Sequence, residues 1–116
     1  MSTRVTLRLD FDADRRLGPG KVALLEAIGR TGSIAAAGRE FGMAYRRAWL
    51  LTDELNHMFS EPLVTTRGGG RNGGGAALTE TGASIVAMYR DAERKVRRQV
   101  AKEIDAMERA LAERPS

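Results

Sequence analysis

Cysteine is absent from the chain, so neither a disulfide framework nor a thiolate metal site is open to it. The sole histidine is His57, and no base and nucleophile are paired at a recognisable spacing, which argues against an enzyme. No apolar run approaches the roughly 20 residues that span a bilayer, and the N-terminus lacks the apolar core of a signal peptide. A cytoplasmic protein without membrane contact is therefore expected. The acidic stretch Asp10–Asp14 lacks the glycine and distal glutamate of a calcium loop, so no metal is expected there. Charge of one sign is scarce as well. The net charge is +4, with 11 basic and 9 acidic groups in residues 1–82 and 8 and 6 in 83–116, so each part contributes +2. An anionic partner would have to be met by a local cluster, for which Arg39, Arg46, Arg47, Arg67 and Arg71 are the candidates.

Ser33–Phe59 is the most informative stretch present. Ser33 is a good N-cap, Ile34, Ala37 and Phe41 share a face, and the small residues Ala35–Gly38 permit close helix approach. Gly42 stands where a left-handed residue would end that helix. A second helix follows, with Ala48, Leu51, Thr52, Leu55 and Phe59 at spacings of three and four. This is the pattern of a helix-turn-helix, whose second helix enters the DNA major groove. At 100° per residue, Arg46, Leu50, Asp53 and His57 lie opposite the apolar stripe. Tyr45 and Trp49 flank them on one side and Arg47 on the other, which makes the first turns the candidate base-reading surface.

The flanking segments extend the pattern. Strict alternation from Arg4 to Phe11, with Val5, Leu7, Leu9 and Phe11 on one side, predicts a half-buried strand. Asp12–Arg16 reads as a charged connection. Gly18-Pro19-Gly20 opens a first helix over about 19–30, with second and third helices at 33–41 and 44–59. Leu63–Arg67 and Ala76–Thr79 suit paired strands, joined by the glycine-rich tip GGGRNGGG that carries Arg71 and Asn72. Such a hairpin is a wing, able to lay backbone N–H groups and Arg71 against phosphates or the minor groove. The tip lacks the Lys-Ser/Thr ending of a nucleotide-binding loop.

From Thr79 to Ala112 there is no proline, and Ile85, Tyr89, Ala92, Val96, Val100, Ile104, Met107 and Leu111 recur in steps of three or four. A helix of roughly 30 residues, about 45 Å long, outruns a three-helix core. Its far half needs a second surface, most simply the same helix of another copy. The expected architecture is mainly α with a small β component. It comprises a winged helix-turn-helix over residues 1–82 and a long dimerisation helix over 83–116, together one structural unit.

KVALLEAIGRTGSIAAAGREFGMAYRRAWLLTDELN, followed by LVTTRGGGRNGGGAALTETG, resembles the DNA-binding domain of ModE-type molybdate-responsive regulators, which is related to the LysR-type winged helix. The resemblance rests on GSI at the start of the second helix, Y-x-x-AW at Tyr45–Trp49, and the glycine wing before A-x-LT. It implies a homodimer on a palindromic operator in double-stranded DNA. DNA contacts by Tyr45, Arg46, Arg47 and the wing around Arg71 are implied, with Trp49, Arg67 and Asn72 beside them and Ser33 as a phosphate anchor. Dimerisation through the first strand (Val5, Leu7, Leu9) and the last helix (Ile85, Tyr89, Val96, Val100, Ile104, Met107, Leu111) is also implied. Full-length members continue into small barrel domains that bind molybdate, and the resemblance ends before them, so no cofactor is expected. The alternative is an interaction module that uses its long helix to heterodimerise with a full-length relative and modulate it.

Overall fold

The computed structural model describes residues 3–68 and 75–114. Its order is β1 (Leu9–Asp10), β2 (Arg16–Leu17), α1 (Pro19–Thr31), α2 (Ile34–Glu40), α3 (Tyr45–Met58), β3 (Val64–Thr66), β4 (Ala76–Leu78), α4 (Glu80–Gln99) and α5 (Ala101–Ala110). The fold is mainly α, with two small antiparallel sheets.

Pro19 occupies the first turn of α1, where its missing N–H is no loss, and Gly32 ends the helix at φ 72° with its N–H donated to the Ile28 carbonyl. Val22, Leu24, Leu25 and Ile28 are fully buried together with Leu55 of α3 and Leu63 ahead of β3. Each such side chain contributes about 1.5–3 kcal/mol of transfer free energy. Gly38 lets α2 cross α3 closely, since a Cβ there would lie 2.8 Å from that of Ala48. Phe41, expected on the buried face of α2, is instead 47% exposed. The helix ends at Glu40, so Phe41 lies at its C-cap and no longer follows the helical face.

Two expectations are corrected at the ends of the chain. The strand expected over Arg4–Phe11 is reduced to Leu9–Asp10, which pairs with an unexpected partner in the charged connection: Leu9 opposes Leu17, and Asp10 opposes Arg16. Pairing stops there because the partner runs into Gly18-Pro19, where α1 begins. Asp12 closes the intervening turn by accepting from the N–H groups of Asp14 and Arg15 and from the Arg15 guanidinium. These bonds lower its pKa to about 2, the Arg15 side chain having the largest effect. Before β1, the chain is held to the helices by side chains. Tyr89 donates its hydroxyl to the Leu7 carbonyl, and Thr3 bonds Glu108.

The long C-terminal helix is the second correction. It is interrupted at Val100 (φ −103°, ψ 11°), giving α4 and α5. No glycine or proline marks the break, and the i→i−4 bonds from Val100 to Val96 and from Ile104 to Val100 persist on either side. α4 is fastened to α1 by Arg90, which donates to both oxygens of Glu26 (3.0 and 2.7 Å) and to Glu93 (2.7 Å). The Arg90 bonds hold the Glu26 carboxyl below its ordinary range. No residue of α5 is buried, and Met107 and Leu111 are exposed.

Candidate nucleic-acid interface

Ser33 caps α2 as its position suggests, its Oγ accepting the Ala36 N–H at 3.0 Å. After α2, the N–H groups of Phe41 and Met43 both reach the Gly38 carbonyl, and Gly42 turns the chain at φ 64°. This tight turn presents the N-terminus of α3 outward. Ala44 gives that terminus no side-chain cap, so the positive end of the helix dipole adds to the charge of the arginines that follow.

Ala48, Thr52, Leu55 and Met58 anchor the buried side of α3. On the opposite side Tyr45 is 59% exposed, Trp49 45% and Leu50 49%, and Arg46 and Arg47 are exposed between them. Among the described residues, neither arginine makes a salt bridge or side-chain hydrogen bond. Further along α3, Glu54 pairs with Lys21 at 3.0 Å, and the His57 ring lies 2.8 Å from the Asp53 backbone carbonyl. The positive charge of α3 is thus gathered in its first turns, where helix-turn-helix proteins read bases.

The β3–β4 hairpin is a short ladder in which Val64, Thr65 and Thr66 oppose Leu78, Ala77 and Ala76. Two contacts fix its root beside the helices. The Gly32 carbonyl, between α1 and α2, accepts the Ala76 N–H at 2.9 Å. On α3, Asn56 accepts the N–H groups of Leu63 and Val64 through Oδ1 (2.8 and 2.9 Å) and donates from Nδ2 to the Val64 carbonyl (3.0 Å). Arg67 leaves the ladder exposed, its N–H on the Gly75 carbonyl and its guanidinium against Gly75, where a Cβ would fall 2.8 Å from Nη2. Arg71 and Asn72 lie outside the described residues.

Periodicity did not single out Asn56; an asparagine beside Leu55 in the closing turns of an otherwise apolar-periodic helix was the available signal. Asn56→Ala removes all three bonds and is expected to cost about 1–3 kcal/mol, measured by urea unfolding. Asn56→Asp retains the two acceptor bonds and should lose less. An Ala variant within about 0.5 kcal/mol of the parent would rule out the anchoring role.

The residues assigned to self-association are placed unequally. Tyr89 is only 2% exposed, packed within its own chain, and so offers almost no surface to a second copy. Val5, Leu7, Leu9, Ile85, Val96, Val100 and Ile104 are half-buried, while Met107 and Leu111 stand out. Among the described residues, no helix is long and apolar enough to cross a membrane.

No family model matches the chain. Over 94 residues it is 44% identical to the molybdenum transport protein ModE of Azotobacter vinelandii, covering 79% of this chain and 35% of that protein. It is 50% identical over 74 residues to the molybdenum-pterin-binding protein MopB of Rhodobacter capsulatus, covering 64% and 27%. ModE and the Mop proteins are homologues of this chain. A third relative, the DNA-binding transcriptional dual regulator ModE of Escherichia coli (strain K12), is 32% identical over 89 residues, 77% of this chain and 34% of that protein. The chain thus spans about a third of the length of these ModE relatives and rather less of MopB.

Proposed function

We propose that this chain is a sequence-specific DNA-binding regulator of transcription that acts in the cytoplasm as a homodimer on a two-fold-symmetric operator. The observation that carries the reading is the outward face of α3. Arg46 and Arg47 stand without ionic partners among the described residues, between Tyr45, Trp49 and Leu50, while Asn56 sets the wing root against the same helix. Arg46 and Arg47 are assigned to guanine edges or phosphates, and Tyr45 and Trp49 to the groove wall. Ser33, Arg67, Arg71 and Asn72 are assigned to flanking phosphates or the minor groove. The E. coli relative, named as a DNA-binding transcriptional regulator, supports the same reading.

The dimer surface would be the apolar stripe from Ile85 through Val96, Val100, Ile104, Met107 and Leu111, bordered by Val5, Leu7 and Leu9. That no residue of α5 is fully buried in its own chain supports a partner for it. The same uncovered helix also favours a second reading, heterodimerisation with a longer relative to modulate it.

Selection of bound sequences from a random duplex pool, with and without molybdate, tests the proposal. Enrichment of inverted half-sites about 34–36 Å apart, or a multiple of that, is expected in both conditions. Symmetric enrichment only with molybdate would show an oxyanion response within this chain. No enrichment by folded protein would sink the DNA-binding reading and leave the interaction module.

A further inference from the structure

Eight large apolar side chains are exposed among the described residues, and four of them, Phe41, Tyr45, Trp49 and Leu50, fall within ten residues of the helix-turn-helix. A lone exposed leucine carries little information, but Leu50 is not alone. Residues four apart are neighbours on a helix surface, so Tyr45–Trp49 and Arg46–Leu50 form two rows side by side. Leu50 therefore continues the row begun by Arg46, one turn further along the outward face, and Asp53 follows it. The N-terminal border is cationic, through Arg46 and Arg47, which suits a polyanion. Phosphates and sugars are met by polar side chains. The apolar group that a major groove presents is the C5-methyl of thymine.

We infer that Leu50 reads a thymine methyl in the major groove; this rests on the DNA-binding reading above. Four residues of helix rise about 6 Å, roughly two base-pair steps of 3.4 Å. The thymine thus lies about two base pairs from the base or phosphate met by Arg46. The preferred half-site pairs a polar contact with a nearby thymine whose methyl group, rather than its hydrogen-bonding edge, is recognised.

Replacing thymine by uracil removes the methyl and leaves every hydrogen-bonding group in place. In the duplex recovered by selection, each thymine is replaced in turn, once per half-site, and binding is measured for the parent and for Leu50→Ala. The parent is expected to lose about three- to fivefold per half-site at one thymine position, the scale of one buried methyl. Leu50→Ala should bind thymine and uracil duplexes equally there. Because Leu50 is exposed, the variant should keep the parent's melting temperature, and the parent's own comparison decides whether a methyl is read even if it does not. Equal binding of all uracil duplexes by the parent would overturn the inference and leave the DNA-binding reading standing. A Leu50→Ala protein that still prefers thymine would overturn the assignment to Leu50. Recovery of no specific duplex would remove both.

Discussion

Gly82→Ala is expected to destabilise the fold by about 3–5 kcal/mol, enough to lower the melting temperature by more than about 10 °C. A Cβ at this position would lie 2.1 Å from the Leu63 carbonyl oxygen, 3.0 Å from its carbonyl carbon and 3.2 Å from its Cα. All three are backbone atoms, so no side-chain rotation can make room. The neighbourhood is further fixed by hydrogen bonds. The Thr79 N–H is donated to the same Leu63 carbonyl at 2.9 Å, the Thr79 hydroxyl to Pro62 at 2.8 Å, and the Gly82 N–H to Thr79 Oγ1 at 2.9 Å. Relief would require moving the start of α4 away from the root of β3, which would break this N-cap and disturb the β3–β4 hairpin. Gly20→Ala is the control. Gly20 lies in α1 with nothing within 4 Å of its would-be Cβ and without a positive φ. The same substitution there should stabilise by about 0.5–1 kcal/mol through helix propensity. Thermal unfolding of both variants provides the check, and a Gly82→Ala protein as stable as the parent would refute the close packing of α4 on Leu63.

Arg46→Ala/Arg47→Ala is expected to fold like the parent and to lose specific DNA binding. Both side chains are exposed, and among the described residues neither takes part in an internal ion pair, so their removal costs the fold little. Where an arginine donates two bonds to a guanine edge, its loss costs about 1–3 kcal/mol, or about five- to 150-fold in affinity. Where it meets a phosphate, the loss is uniform across sequences and the slope of log affinity against log salt falls by about 1. The single variants, measured on the selected operator and a scrambled duplex at several salt concentrations, separate these roles. A double variant with parental affinity and specificity would dismiss α3 as the recognition helix. The heterodimer reading predicts that unaffected outcome for partner binding.

Local chemistry is what the amino-acid order conveyed well. Pro19 starts α1, Gly42 takes the left-handed conformation just past the end of α2, and Ser33 caps α2, because each of these depends on only a few neighbouring residues. The hairpin partners Val64–Thr66 and Ala76–Leu78 were legible for the same reason, as β-branched or apolar runs flanking a glycine tip. The exposed face of α3 followed from helical geometry, since fixing the buried stripe fixes the side opposite to it.

Periodicity reports that a face is covered but not what covers it. Alternation from Val5 to Phe11 suggested a strand, yet the partner beside it stops where Pro19 begins α1, and Leu7 is held by the Tyr89 hydroxyl instead. Tyr89 fitted an outward dimer seam by spacing alone; it turns inward because α4 lies against the N-terminal segment of the same chain. Nothing in Arg98–Ala101 announces a break, and the interruption at Val100 is seen only in the folded backbone. Asn56 and Gly82 depend on the approach of Leu63, seven and nineteen residues away. Amino-acid order thus established the helices, their caps and the cationic turn of α3, all short-range consequences of side-chain chemistry. The anchoring of the β3–β4 hairpin, the inward turn of Tyr89 and the exposure of Met107 and Leu111 arise from long-range packing, in which separate segments compete for the same neighbours.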